Sequence, residues 1–169
     1  MEKVYGATER HDQLIVFGKG ASAVLIYGYG TDGEQGFDYR HQFTHKPTKQ
    51  EVLQVIVEHV NQLVDEKILT GFKWADDNGV ECSVWLSEEN QRNFSEAHRL
   101  SVLLGAKKYE TIQFKIGEDE DNRPKYRTFE TLNDLNTFYL SAFAFIKQTL
   151  SEGWAEKDAA IEWVETLSL

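Results

Sequence analysis

The chain contains 169 residues, of which 41% are hydrophobic and 12% aromatic, and its formal net charge is −10. This length and composition fit one domain or two small ones with buried cores and exclude a disordered chain. The strong negative charge repels phosphate backbones and anionic lipids, so we expect neither a nucleic-acid partner nor a membrane partner.

The cysteine usage and the N-terminus indicate a reducing compartment. A single cysteine, Cys82, rules out an intrachain disulfide. Residues 1–6 carry no apolar signal segment, and no apolar run approaches the ~20 residues that span a bilayer. We therefore expect the protein to be soluble and cytoplasmic at synthesis.

The first 66 residues predict a β-rich N-terminal domain with one helix. The candidate strands are Gln13–Phe17, residues 21–27 and residues 36–43. Phe37, Tyr39 and Phe43 are spaced by even numbers in the third strand, so their side chains share one face. Residues 28–36, which contain four glycines, lead from the second strand into the third, and the short connections predict an antiparallel meander.

A helix is predicted to follow the meander and to cover its sheet. Thr48 and Glu51 fit a capping box directly after Pro47. Apolar residues then recur at helical spacing as far as Leu63, and the pattern indicates an end near Asp65. One helix covers only part of a three-stranded sheet, so we expect apolar surface to remain on this domain.

Residues 67–169 predict a second, C-terminal domain. Its predicted elements, in chain order, are strands at residues 68–74 and 80–86, a helix from Ser87 to Gly105, strands at residues 111–116 and 125–129, a helix from Thr131, and a final helix at residues 154–167. Asn78 and Gly79 form the pair that a type I′ turn prefers. Gly153 is predicted to separate the last two helices because glycine disfavours a helix interior.

The predicted fold class is therefore α+β. It consists of an N-terminal antiparallel β-meander with one covering helix, then two β-hairpins and three helices. We expect the apolar stripes of the C-terminal helices to meet in one core. The expected members of that core are Phe94, Leu100, Leu135, Phe138, Phe143 and Ile146.

No motif assembles a catalytic, cofactor or metal site. Residues 28–33 have the glycine spacing of a dinucleotide fingerprint, but a strand follows where that motif needs a helix. His41 and His45 lie in a strand, where four residues span ~13 Å, too far to share one ion. The acidic turn at residues 119–122 lacks EF-hand spacing, and Cys82 is predicted to be a buried structural thiol. We expect no catalytic residues, no cofactor and no metal, and predict that the protein is not an enzyme.

Aromatic side chains are the best candidates for a contact site. Exposed tyrosine and tryptophan commonly bind sugars or form hot spots in protein interfaces. The candidates in the N-terminal sheet and its glycine loop are Tyr27, Tyr29, Phe37 and Tyr39. The four tryptophans all lie in the C-terminal domain, where the favoured interpretation is that they seal a small core.

An amide cluster at a helix start carries a family resemblance. Asn90, Gln91 and Asn93 follow Ser87 and can tie the helix start to neighbouring backbone carbonyls. With this cluster, the segments that match a known layout are residues 68–74, 84–94, 126–132 and 153–158. Together they resemble an uncharacterised domain family of phage and prophage proteins whose members often lie near tail-fibre genes. The resemblance covers roughly residues 66–165.

The resemblance implies a non-enzymatic phage or prophage protein of the tail region, either a virion component or an assembly factor. Its implied partners are tail or fibre proteins or further copies of the chain, and its implied place of synthesis is the cytoplasm of a bacterial host. An alternative from another class is a carbohydrate- or receptor-binding module that uses the N-terminal aromatics. We hypothesise that the N-terminal sheet or its glycine loop makes the contact.

Overall fold

The computed structural model describes residues 1–18, 22–119 and 121–169. Ala21 of the second predicted strand and Glu120 of the acidic turn lie outside these residues. The fold is α+β, and its elements are β1 Glu2–Tyr5, β2 Gln13–Phe17, β3 Ser22–Asp32, β4 Gln35–Phe43, α1 Lys49–Thr70, β5 Lys73–Ala75, β6 Glu81–Ser83, α2 Glu88–Leu104, β7 Ile112–Glu118, β8 Pro124–Phe129 and α3 Leu132–Thr166. All paired strands are antiparallel.

The chain divides into two compact units. Unit 1 contains Met1–Gln62 and Gly153–Leu169, and unit 2 contains Leu63–Glu152. Both α1 and α3 contribute residues to each unit. The sequence-based division at residue 66 assigned the C-terminal segment to the second domain, whereas this segment groups with the N-terminal sheet.

The sheet of unit 1 has four strands in the order β1-β4-β3-β2. The predicted meander of β2, β3 and β4 is present, and a further strand that was not predicted, β1, pairs with β4. This strand gave no apolar alternation because it contains Glu2 and Lys3. It forms because Tyr5 lies opposite Phe37, and their rings meet edge to face at 5.9 Å.

One face of this sheet is buried under helices. Leu25 and Tyr27 of β3 point to this face together with Phe43 of β4. From α1, His59 contacts Tyr39 with ring centroids 4.2 Å apart. The helix therefore covers the sheet, as its apolar stripe predicted. The buried apolar side chains that the helices contribute to unit 1 are Val52, Ile56, Val60, Ala160 and Val164.

The start of α1 is as predicted and its end is not. The capping box is confirmed, since Thr48 N–H donates to Glu51 Oε2 at 2.8 Å and Glu51 N–H donates to Thr48 Oγ1 at 3.3 Å. The helix continues to Thr70, so the predicted strand at residues 68–74 is wrong in its first half. Gly71 ends the helix at φ +75°, where a Cβ would also collide with the carbonyl oxygen of Val84.

The hairpin of β5 and β6 uses a different turn from the one predicted. A type I′ turn needs positive φ at both central residues, but only Gly79 adopts it, at +77°. Asp76 organises the turn instead: its buried carboxylate accepts hydrogen bonds from the N–H groups of Asn78 and Val80 at 2.8 and 2.9 Å. These bonds lower the pKa of Asp76, with the bond from Val80 the largest cause.

The start of α2 confirms the predicted cap and, for Asn90 and Gln91 of the amide cluster, the predicted bonds to neighbouring carbonyls. Ser87 Oγ accepts a hydrogen bond from Asn90 N–H at 3.3 Å. The side-chain amide of Asn90 donates to the Trp85 carbonyl at 3.0 Å, and that of Gln91 donates to the Leu86 carbonyl at 2.6 Å. These amides hold the incoming chain against the first turn of the helix.

The last two predicted helices form one helix, α3. Gly153 lies inside it and is buried, so the predicted break there is wrong. A single interior glycine costs only ~1 kcal/mol relative to alanine. The flanking sequence, with Glu152, Ala155 and Glu156, favours helix strongly enough to absorb that cost.

The core of unit 2 is aromatic and includes part of the predicted set. Phe94, Leu135 and Phe138 are buried in it, and Ile146 packs against it. Leu100 and Phe143 are instead more than half exposed, so their predicted burial is wrong. Helical spacing placed these two residues in the apolar stripes, but the other elements of unit 2 leave them exposed.

Phe138→Ala should destabilise the protein by ~3–5 kcal/mol because it leaves a cavity among four neighbouring rings. Urea unfolding followed by tryptophan fluorescence measures the loss. Leu140→Ala on the exposed side of the same helix is the matched control and should change the free energy of unfolding by less than about 0.5 kcal/mol. Equal losses for the two variants would contradict the described core.

Ser87→Ala should cost about 1 kcal/mol, because the amide of Asn90 loses its acceptor. Ser87→Asp keeps an acceptor at the helix N-terminus and should be nearly neutral. Thermal melts of both variants test the cap. If the alanine and aspartate variants melt together, Ser87 does not stabilise the helix start.

Candidate interaction surface

The four aromatic residues predicted to form a contact site do not share an exposed surface. Tyr27 and Phe37 are buried, with 2% and 6% of their surface exposed, and Tyr39 is half-buried against His59. Their expected exposure is therefore wrong for Tyr27 and Phe37. Tyr29 is the one of the four that presents its ring to solvent.

A polar network provides a hydrogen-bond partner for the hydroxyl of the buried Tyr27. Its hydroxyl donates to Glu156 Oε1 at 2.6 Å, and Arg10 Nη2 donates to the same oxygen at 2.6 Å. The Arg10 guanidinium also lies 5.0 Å from the centre of the Tyr27 ring. The bond from Arg10 lowers the pKa of Glu156, and burial raises the pKa of Tyr27. The hydrogen bond from this hydroxyl therefore joins β3 to the C-terminal part of α3 within unit 1.

In the last turn of α2, the usual burial of apolar residues and exposure of polar residues is reversed. The polar Ser101 is buried, whereas apolar residues around it are exposed. These exposed residues are Leu100, Val102, Leu103 and Leu104. Leu103 is 71% exposed, more than any other large apolar residue of the described chain. The hydrophobic effect opposes such an arrangement in an isolated chain, so this helix end is a candidate contact.

The apolar surface extends from α2 onto α3. One shallow cavity of about 400 Å³ is bordered by Val102, Leu103 and Tyr139. A second, of about 200 Å³, is bordered by Tyr139 and by Phe143, which is 55% exposed. Tyr139 borders both cavities, so the two are neighbours, and we refer to them together as a groove. We name this the α2–α3 surface; its residues are Val102, Leu103, Tyr139 and Phe143.

A stacked pair fixes the floor of the groove. The rings of His98 and Tyr139 lie parallel, with centroids 4.1 Å apart and an interplanar angle of 8°. A hydrogen bond of 2.8 Å joins His98 Nε2 to Asn136 Oδ1 and orients the imidazole. Arg99, the charged residue at the border, pairs with Glu96 at 2.7 Å. The groove is thus preformed and nearly neutral in an acidic protein.

A polar cleft of about 500 Å³ is lined by Cys82 together with Lys73 and Ser83. Lys73 Nζ donates to Ser83 Oγ at 3.0 Å, but Lys73 is exposed, whereas a lysine activated as a base needs desolvation. Cys82 is buried as predicted, and burial raises its thiol pKa, which disfavours the reactive thiolate. The geometry gives neither group the environment of a nucleophile.

Two further findings concern metals and membranes. In residues 1–18, 22–119 and 121–169, no three His, Cys, Asp or Glu side chains lie close enough together to hold a metal ion. Over the same residues, no helix combines the length and the apolar character needed to cross a membrane.

Glu156→Gln should destabilise the protein at neutral pH by roughly 1 kcal/mol, because it weakens the charged bond to Arg10 at a partly exposed site. The pKa of Glu156 is lowered in the folded state, so its stabilisation is present above the unfolded pKa and lost as the pH falls through the folded pKa. Urea titrations should therefore show the two proteins converging in acid.

The matched control is Glu162→Gln, an exposed glutamate of the same helix. It should leave stability nearly unchanged at both pH values. A destabilisation by Glu156→Gln that persists in acid would show that the charge of Glu156 does not stabilise unit 1.

Comparison with known proteins identifies no relative. No protein-family model matches the chain, and no curated protein or solved structure is significantly similar to it. The function of the α2–α3 surface must therefore be inferred from its own chemistry.

Proposed function

We propose that this chain is a non-enzymatic phage or prophage protein of the tail region, a virion component or an assembly factor that acts through protein contacts. Two considerations support the proposal. By their motifs residues 66–165 resemble a phage and prophage domain family, although no family model matches them, and unit 2 presents the α2–α3 surface. In this proposal the protein is made in the cytoplasm of a bacterial host, and its partners are tail or fibre proteins.

The exposed apolar residues in the last turn of α2 are the main reason to infer a protein partner. Burying a leucine contributes ~1.5–3 kcal/mol, so leaving Leu103 in water forgoes a large stabilisation. Four neighbouring apolar residues of one helix end share this exposure. Exposed apolar patches of this kind, rimmed by polar groups, are typical of protein interfaces.

The shape of the α2–α3 surface favours a helical partner segment. Its two cavities lie in one groove on either side of Tyr139, between two helices. A partner helix with apolar residues three or four positions apart would insert one side chain into each cavity. The near-neutral lining means that apolar burial, rather than charge, would select the partner.

The carbohydrate- or receptor-binding alternative now depends on Tyr29. This tyrosine is exposed in the glycine-rich part of β3, a position suited to stacking against a sugar ring. A glycan array would favour the alternative if it showed sharp binding that Tyr29→Ser abolishes. Binding that is insensitive to this substitution would exclude the proposed use of Tyr29.

Leu103→Ser should weaken binding to a tail or fibre protein by at least roughly tenfold, because it removes the most exposed anchor of the α2–α3 surface. Purified tail and fibre proteins of the same phage or prophage are the partners to test, by calorimetry or light scattering. Phe143→Ser should have a similar effect at the other end of the groove.

The matched control is Val80→Ser, since Val80 is an equally apolar, exposed residue of unit 2 that borders a different cleft. It should leave affinity unchanged. If neither Leu103→Ser nor Phe143→Ser weakens binding, the α2–α3 surface is not the interface. If no tail protein binds the wild type, the proposed biological setting is wrong.

A further inference from the structure

The two edges of the unit 1 sheet differ in how they are protected. Edge strands expose unpaired N–H and C=O groups that can pair with another strand, and proteins commonly block them with charge. β1 forms one edge and carries Glu2 and Lys3, with Lys3 held 2.8 Å from Asp32. β2 forms the other edge, and none of its five residues is charged, proline or glycine.

The unprotected edge is also apolar and accessible. Ile15, Val16 and Phe17 of β2 are 36%, 40% and 48% exposed. Within the described part of the chain, the hydrogen bonds of β2 are those of its ladder with β3. A short, uncharged, apolar strand with one free side is the sequence type that adds strands at its edge.

We propose that β2 binds the β2 strand of a second copy of this chain, in antiparallel orientation, so that two four-stranded sheets join into one of eight strands. This self-association does not depend on the proposed tail function or on the α2–α3 surface. Its occupant is an extended strand, because only a strand matches the backbone groups along this edge.

Self-complementarity identifies the second copy as the partner. Antiparallel pairing centred on Ile15 places Ile15 opposite Ile15 and Leu14 opposite Val16. These two kinds of pair are apolar, and at the strand ends Gln13 lies opposite Phe17. Leu14 and Val16 extend the sheet face that carries Leu25 and Ala23. The charges just before β2 do not oppose this pairing, since Arg10 and Asp12 neutralise each other at 2.8 Å.

The net charge makes the association dependent on salt. Two chains of charge −10 repel each other, whereas the paired strands contribute no charge themselves. Screening at higher ionic strength should therefore strengthen the dimer. A contact based on ion pairs would show the opposite dependence.

Charge substitutions at Ile15 test both the partner and the register. Ile15→Lys and Ile15→Glu each place like charges opposite one another, so each variant alone should be monomeric by sedimentation velocity at concentrations where the wild type dimerises. Mixing the two variants should restore the dimer, because opposite charges then meet across the two-fold axis. Ile161→Lys, at an exposed apolar position on α3 in unit 1, is the control and should dimerise like the wild type.

Hydrogen exchange of the wild type provides a test without a variant. Amides of β2 should become slower to exchange as protein concentration rises, while those of β1 should not change. A wild type that stays monomeric at its highest soluble concentration overturns the proposal. So does a dimer insensitive to both Ile15 substitutions, or a mixture of the two variants that stays monomeric.

Discussion

The packing of aromatic rings around Phe138 is the interaction on which unit 2 depends. Its ring contacts Phe72, Trp74, Phe94 and Phe129, with centroid distances of 4.9–5.8 Å. These rings come from the segment after α1, from β5, from α2 and from β8. One side chain of α3 therefore fixes two hairpins and a helix, and tilted or edge-to-face rings specify their orientation as well as their distance.

This core also determines which residues remain outside. An α-helix turns by about 100° per residue, so Leu140 and Phe143 of α3 point well away from Phe138. The same geometry in α2 turns Ser101 inward and Leu103 outward. Both helices carry apolar residues in addition to those of the stripe that faces the core, and these additional residues form the α2–α3 surface. The side chains that pack in the core therefore determine which other apolar side chains of these helices are exposed.

Features with local causes could be predicted from the sequence. The caps at Thr48 and Ser87 were predictable because each hydroxyl finds its partner within three residues. Gly153 was misleading because a local preference of ~1 kcal/mol yields to the neighbouring helix formers and to packing. β1 was missed because its pairing with β4, more than thirty residues away, decides its structure. The predicted burial of Phe143 is wrong because residue spacing identifies the side chains that share a helix face, but does not show whether another element covers that face.

The same limit explains why most of the aromatic residues predicted to form a contact site are not exposed. Treating residues 154–167 as part of another domain left the sheet of unit 1 with one covering helix and apparent free surface. The C-terminal part of α3 instead packs on this sheet, where Trp163 lies 5.9 Å from Tyr27. The aromatic residues fill the space between sheet and helices because large rings gain most from burial. Apolar groups do remain accessible at the edge of this sheet, where Ile15, Val16 and Phe17 of β2 are exposed. The sequence of β2 resembles that of any buried strand, so this exposure could not be read from its pattern.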